Sequence, residues 1–163
     1  MGSLRFMSQK PAISAVRRRI QVRRSPIHGR GVFALQELAE GEKLLEYAGE
    51  LITWKQALRR HPHDPAQPDH TFFFHVDEKH VIDGNVGGNS SRWINHSCDP
   101  NCYAHVQGSR IFLFVLREIA AGEELFFDYG LSLDERYTAR LKARFACYCG
   151  SKTCRGTLLA PKT

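Results

Sequence analysis

The sequence predicts a β-rich α+β domain. Apolar residues fall in short, strand-length runs divided by glycine and proline. Helix signals are few: a brief one after Thr53 and a clear one only at Ser132. No internal repeat replaces this pattern. At 163 residues, 42% hydrophobic and 25% charged, the chain suits one domain with at most an appendage.

Residues 1–16 lack strong periodicity and are read as a basic flexible arm. Ile20 and Val22 alternate with Arg19, Gln21 and Arg23, as a half-buried strand does. The turn-rich Ser25-Pro26-Ile27-His28-Gly29-Arg30-Gly31 follows, then Val32-Phe33-Ala34-Leu35 as a short buried strand. Gly41 punctuates before a longer strand over residues 43–52. Thr53 can cap a brief helix over residues 54–60. Three prolines between His61 and Pro68 dictate an irregular loop.

Residues 72–76 and 81–82 read as the two strands of a hairpin. Gly84, Gly87 and Gly88 break the chain before a compact polar segment, residues 89–101. Residues 111–116 are the most apolar run, and six residues suit a buried strand better than a helix. Residues 124–129 are another strand. Ser132 with Glu135 three residues on predicts a helix start through a capping box. Leu133, Tyr137, Leu141 and Phe145 then recur every four residues, a stripe read as core packing rather than a ligand groove.

The net charge of +6 is unevenly spread. Residues 1–24 hold seven basic side chains and no acidic one, so the remaining chain is near neutral at −1. A pI near 9.2 points to acidic partners, nucleic acid among them. No apolar run approaches the ~20 residues that cross a bilayer, and the N-terminus has no apolar core or cleavage site of a signal peptide. The expectation is a soluble intracellular protein with no membrane partner.

Five cysteines, an odd number without an export signal, argue against a disulfide framework. Cys147, Cys149 and Cys154 form a C-x-C-x4-C cluster, with Gly150 permitting the sharp turn that lets three thiolates converge. Structural zinc takes four ligands, so the fourth comes from elsewhere, with Cys98 and Cys102 the candidates. The plainer alternative is three unrelated buried thiols.

Arg92-Trp93-Ile94-Asn95-His96-Ser97-Cys98-Asp99-Pro100-Asn101 sets polar side chains beside hydrophobic anchors. Downstream comes Gly122-Glu123-Glu124-Leu125-Phe126-Phe127-Asp128-Tyr129-Gly130. With these motifs the sequence resembles the SET-domain protein lysine methyltransferases that carry a post-SET zinc cluster. His28-Gly29-Arg30-Gly31-Val32-Phe33 and Cys98-Asp99-Pro100-Asn101-Cys102-Tyr103 resemble the trithorax-like branch. The likeness covers about residues 18–160, and no cysteine-rich pre-SET segment is present among them.

The resemblance implies a SET-domain β-clip whose C-terminal segment threads beneath a loop, divided into an arm (1–16), a SET domain (17–131) and a helix with a zinc-bound post-SET tail (132–163). It implies S-adenosylmethionine as methyl donor, contacted by His28, Arg30, Gly31, Asn95 and His96, with Tyr148 closing over it. It makes Cys98 the fourth zinc ligand beside Cys147, Cys149 and Cys154, leaves Cys102 as a spare, and pairs Arg92 with Glu124. The essential tyrosine of the family falls on Tyr129. Tyr47, in Tyr47-Ala48-Gly49-Glu50, is a second catalytic candidate, or else an ordinary strand residue.

Methyl transfer to an amine needs a neutral lysine, whose pKa of about 10.4 falls when it leaves water. A narrow aromatic channel provides that desolvation and alignment. Phe127 occupies the family's phenylalanine/tyrosine switch position and favours di- or trimethylation. Phe72 stands where trithorax-like members usually have tyrosine and removes one channel hydroxyl.

By family the substrate is a histone, with another DNA-associated protein as the wider class. The location follows the source: cytoplasmic in a bacterium, nuclear or chromatin-bound in a eukaryote. Rival readings are a zinc-containing nucleic-acid module using the basic arm, a catalytically weak SET-like binding protein, and a metal site from His61, His63, Asp64 and His70. The near-neutral charge beyond residue 24 weighs against the first. Intact Tyr129, Asn95 and His96 weigh against the second, and the intervening prolines against the third.

Overall fold

The computed structural model describes residues 18–62, 65–67 and 69–162. The arm expected at residues 1–16, and His63 and Asp64 of the proline loop, lie outside the described residues. Ten short strands and two short helices form the body. β1 (Ile20–Arg24) and β2 (Arg30–Ala34) make an antiparallel hairpin. β3 (Lys43–Glu46) and β4 (Glu50–Thr53) follow, then α1 (Trp54–Arg60). Thr53 caps α1 and accepts from the Gln56 backbone, while the Gln56 side chain accepts from the Thr53 N–H.

β5 (Phe73–His75) and β6 (His80–Asp83) pair antiparallel, as the sequence hairpin requires. A 3-10 turn at Ser90–Trp93 leads into β7 (Asn95–His96). β8 (Cys102–Gln107) and β9 (Arg110–Val115) form the longest antiparallel ladder. β10 (Phe126–Phe127) returns parallel to β7, and α2 (Ala139–Arg144) precedes the C-terminal tail. Two three-stranded sheets, in the orders β3-β9-β8 and β4-β6-β5, carry most of the ladder.

The main core gathers Val32, Leu38, Ile94, Leu113, Ile119 and Leu125, all 1% exposed or less. Burying each such side chain contributes about 1.5–3 kcal/mol. These residues come from the β1–β2 hairpin, the central sheet and the loops between, so the core holds the β7–β10 pair from behind. Among the described residues no helix is long and apolar enough to cross a membrane.

Three elements differ from their sequence reading. The single strand expected over residues 43–52 splits, because β3 pairs with β9 whereas β4 pairs with β6. Tyr47 marks the switch, its N–H donating to Ile111 O (2.8 Å). The strand expected over 124–129 shrinks to Phe126–Phe127, the two residues opposite Asn95 and His96. The late helix starts at Thr138, whose hydroxyl accepts from Leu141 N, and not at Ser132. Leu131 bridges Leu159, Ala160 N donates to Leu131 O, and Lys162 Nζ occupies Asp134 O and Glu135 O. Those carbonyls accept from the returning tail and not from backbone N–H groups four residues on, so no helix begins at Ser132; of the four-residue stripe, Leu141 alone is buried.

Candidate active site and cysteine cluster

The β7–β10 pair sets Asn95 beside Phe126 and His96 beside Phe127. The Asn95 amide nitrogen reaches three acceptors at 3.0 Å each: His28 O, Arg30 O and Glu124 Oε1. Glu124 also accepts from Ser25 Oγ at 3.0 Å. The loop of residues 25–31 is thereby fastened at both ends to the site floor. Gly31 is needed there, since a Cβ at this position would stand 2.1 Å from Glu124 Oε1. The pairing of Arg92 with Glu124 implied by the resemblance does not form. Arg92 lies over the rings of Trp93 (4.9 Å) and Phe72 (5.8 Å) and reaches Gly84 O, while the Glu124 carboxylate accepts from Asn95 and Ser25.

His96 is buried and joins two parts of the site. Its Nδ1 accepts from Tyr129 N (3.0 Å), which assigns the proton to Nε2, facing Cys98 Sγ at 3.4 Å. Burial, against the pull of Asp128, pushes its pKa down to about 4, so the ring is neutral at physiological pH.

A continuous run of rings crosses the site. Tyr47 meets Phe74 edge-on (5.0 Å), Phe74 stacks on Phe127 (5.6 Å, 17°), and Phe127 touches Tyr129 (4.9 Å). Tyr129 donates its hydroxyl to Ile94 O (2.7 Å), and Tyr47 donates to Phe72 O (2.9 Å). Burial raises both phenols above their ordinary range, so each is a neutral hydroxyl whose oxygen keeps lone pairs for a further donor. Phe72 packs edge-on against Trp93 (5.3 Å). Phe74 and Trp93 were not among the residues singled out by sequence. The signal for Phe74 is its place two residues after Phe72, the period that returns a strand to one face.

The four thiols of Cys98, Cys147, Cys149 and Cys154 converge, with all sulfurs within 4.8 Å of one another. Cys98 and Cys147 are 3.8 Å apart, about the edge of a tetrahedron whose metal–sulfur bonds are ~2.3 Å. Gly150 turns the chain between Cys149 and Cys154 at φ +75°. Backbone N–H groups of Arg155 and Gly156 point at the sulfurs of Cys98 and Cys154, both 3.4 Å away, as suits thiolate ligands. This donor set fits a tetrahedral thiolate-bound metal. Cys102 is elsewhere, fully buried in the main core, where burial pushes its thiol up to about 12.

The cluster faces the site through the His96–Cys98 contact. Arg155 adds a bidentate pair to Asp128 (2.7 and 3.1 Å), and Arg144 grips Asp69 (2.7 and 2.5 Å) beside the loop that leads to Phe72. Tyr148, between two of the cysteines, is 81% exposed. His28 and Arg30 are exposed on their loop, and His28 lies 5.8 Å from His70. His61 and His70 do not join a metal-ligating group among the described residues.

The SET-domain family profile matches residues 29–130. A histone-lysine N-methyltransferase, trithorax of Drosophila virilis, is 38% identical over 140 residues, which are 83% of this chain and 4% of that protein. Human histone-lysine N-methyltransferase 2B is 36% identical over 140 residues, 83% of this chain and 5% of its own length. The chain thus spans about a twentieth of these relatives. In a crystal structure of the Chaetomium thermophilum polycomb repressive complex 2, a chain superposes with a TM-score of 0.64 at 32% identity, over 71% of this chain and 16% of that one.

Proposed function

This chain belongs to the SET-domain family, and we propose that it is a protein-lysine N-methyltransferase. Its methyl donor is S-adenosylmethionine and its substrate a lysine of a histone or another DNA-associated protein, met on chromatin where the source is eukaryotic. The observation that carries the reading is the continuous ring run of buried Tyr47 and Phe127 with half-buried Phe74 and Tyr129, abutting the β7–β10 pair.

S-adenosylmethionine, when bound, supplies a methyl carbon activated by its sulfonium. The exposed loop of His28, Arg30 and Gly31 would hold it, with His96 behind and Tyr148 closing from the tail. Arg30 forms no ion pair with a carboxylate among the described residues, which suits the carboxylate of the cofactor's amino-acid end. Asn95 serves the cofactor by fastening that loop. Zinc suits the four thiols and would tie the tail (132–163) to the SET body (17–131).

The ring run strips water from an entering lysine and lowers its pKa toward neutrality. Tyr129 gives its proton to Ile94 O and so offers an oxygen lone pair to an N–H of the neutral amine, aiming the nitrogen's own lone pair. Tyr47, held by Phe72 O, offers a second acceptor. Ring faces also accommodate methylammonium products by cation–π attraction. Phe127 is 4% exposed and carries no hydroxyl to restrict a methylated amine, which favours di- or trimethylation.

Labelled methyl transfer to histones tests this. Tyr129→Phe should lose about 100-fold or more, and equal labelling by that variant would remove Tyr129 from its role. Mass spectrometry should find di- or trimethyl-lysine from the native protein and monomethyl-lysine from Phe127→Tyr. A native enzyme that stops at one methyl overturns the product assignment. Calorimetry on zinc-loaded protein should show S-adenosylmethionine binding, and none would sink the enzyme reading.

A further inference from the structure

Six of the fourteen described arginines are neutralised by carboxylates. Arg19, Arg60, Arg110, Arg117, Arg144 and Arg155 are each ion-paired. Arg23, Arg24 and Arg30 have no such partner among the described residues, and all three are exposed. They line one surface hollow of about 630 Å³ with Val22 and Gly29, where β1 turns into β2. The register sets Arg24 directly opposite Arg30, with Arg23 opposite Gly31. Like charges facing one another across a ladder are destabilising, so this hairpin end carries an electrostatic cost that a bound anion would relieve.

The guanidinium groups are also pre-positioned. Arg23 lies over the Phe33 ring at 4.4 Å and Arg30 over Trp93 at 5.1 Å. Ring stacking holds a guanidinium in place, lowering the entropy lost on binding, while leaving its charge and its N–H fork available. The sequence extends the same field: the first 36 residues contain seven arginines and one lysine, and the first acidic residue is Glu37. Arginine in preference to lysine suits bidentate contact with phosphate oxygens.

We propose that Arg23 and Arg24, the arginines of this hollow that lie outside the cofactor loop, bind the phosphodiester backbone of duplex DNA. The contact is to phosphate oxygens, which arginine forks meet in bidentate fashion, and is independent of base sequence. It holds the protein beside a DNA-bound substrate, and it stands whether or not the methyl-transfer reading does.

The test is fluorescence anisotropy of the full chain with two labelled 20-bp duplexes of unrelated sequence, titrated over a range of salt. Arg23→Gln with Arg24→Gln should weaken both duplexes alike and reduce the slope of log K against log salt by about 1.8, two contacts at ~0.9 each. Arg23→Lys with Arg24→Lys keeps the charges and should keep most of the slope. Arg30 stays native because its loop belongs to the cofactor site. An unchanged slope in the glutamine variant overturns the proposal. So does polyglutamate displacing the native protein as well as unlabelled DNA does, which would make the hollow an acidic-peptide site. A matching loss of S-adenosylmethionine affinity in the glutamine variant would hand the hollow to the cofactor and overturn it as well. Methyl transfer to a free peptide, read in parallel, separates failure here from failure of the enzyme assignment.

Discussion

In the sheet body Leu38, Ile94, Ile111, Leu113, Ile119 and Leu125 are all 1% exposed or less, whereas between residues 131 and 162 the buried side chains are Leu141, Cys147, Thr157 and Leu159. The body closes by removing apolar surface from water, over antiparallel ladders. The tail has one six-residue helix, three thiols that join Cys98 of the body in one cluster, and two arginine–carboxylate ties back to the body. A helix that short is marginal without outside support. Its order rests on polar and metal-type contacts, so the two regions should answer to different perturbations. Because the tail's Cys147 meets Cys98, and Cys98 meets His96, loss of order in the tail reaches the candidate site.

The largest effect should come from removing metal. A strong chelator, or Cys98→Ser, should abolish methyl transfer and expose residues 131–162 to proteolysis, while β8 and β9 stay protected from hydrogen exchange. Structural zinc contributes about 10–16 kcal/mol to the order of a small metal-bound segment. If the tail stays protected after chelation, the contrast between the regions is broken.

Next, Leu125→Ala in the body should cost about 2–5 kcal/mol and lower the cooperative unfolding transition of the whole chain. An unfolding confined to the tail would show that the regions are not distinguished in this way. Arg155→Ala should cost about 1 kcal/mol, the scale of a partly exposed ion pair, and should raise exchange in the tail with little change in the body. A body that melts as early as in the Leu125 variant would contradict it.

The smallest effect concerns acid. The Arg144 guanidinium holds the Asp69 carboxyl below its ordinary value of 3.8. A depressed folded pKa means that the tie stabilises fully above the unfolded value and is lost as pH falls through the folded one. Exchange at α2 should therefore rise selectively below about pH 4, and Asp69→Asn should show that level at all pH values. Salt should mimic the change, because the pair is solvent-exposed.

Much of the site is legible along the chain because its chemistry is local. C-x-C-x4-C needs only one turn at Gly150 to bring three sulfurs together. Asn95 and His96 are adjacent, and Phe127 and Tyr129 are two apart, so their motifs survive any arrangement of the remaining chain. The hairpin of β5 with β6 and the cap at Thr53 were legible for the same reason.

Other features depend on which distant segments compete for a group. Spacing alone leaves Cys98 and Cys102 equal as fourth ligands; the fold sends Cys102 into the core and brings Cys98 to within 3.8 Å of Cys147, 49 residues away. The family resemblance implies an Arg92–Glu124 pair, but the fold turns Arg92 to the rings of Trp93 and Phe72 and brings Asn95 and Ser25 to the carboxylate. The box at Ser132 and Glu135 is a sound local signal overruled by Leu159, Ala160 and Lys162. By itself the sequence determined the short strands, the thiol triplet and the polar motifs, because period and spacing act over a few residues. The fourth sulfur, the split of residues 43–52 between two sheets, the place of Phe74 and the arginine hollow were decided by tertiary structure, because each depends on partners that only folding brings within reach.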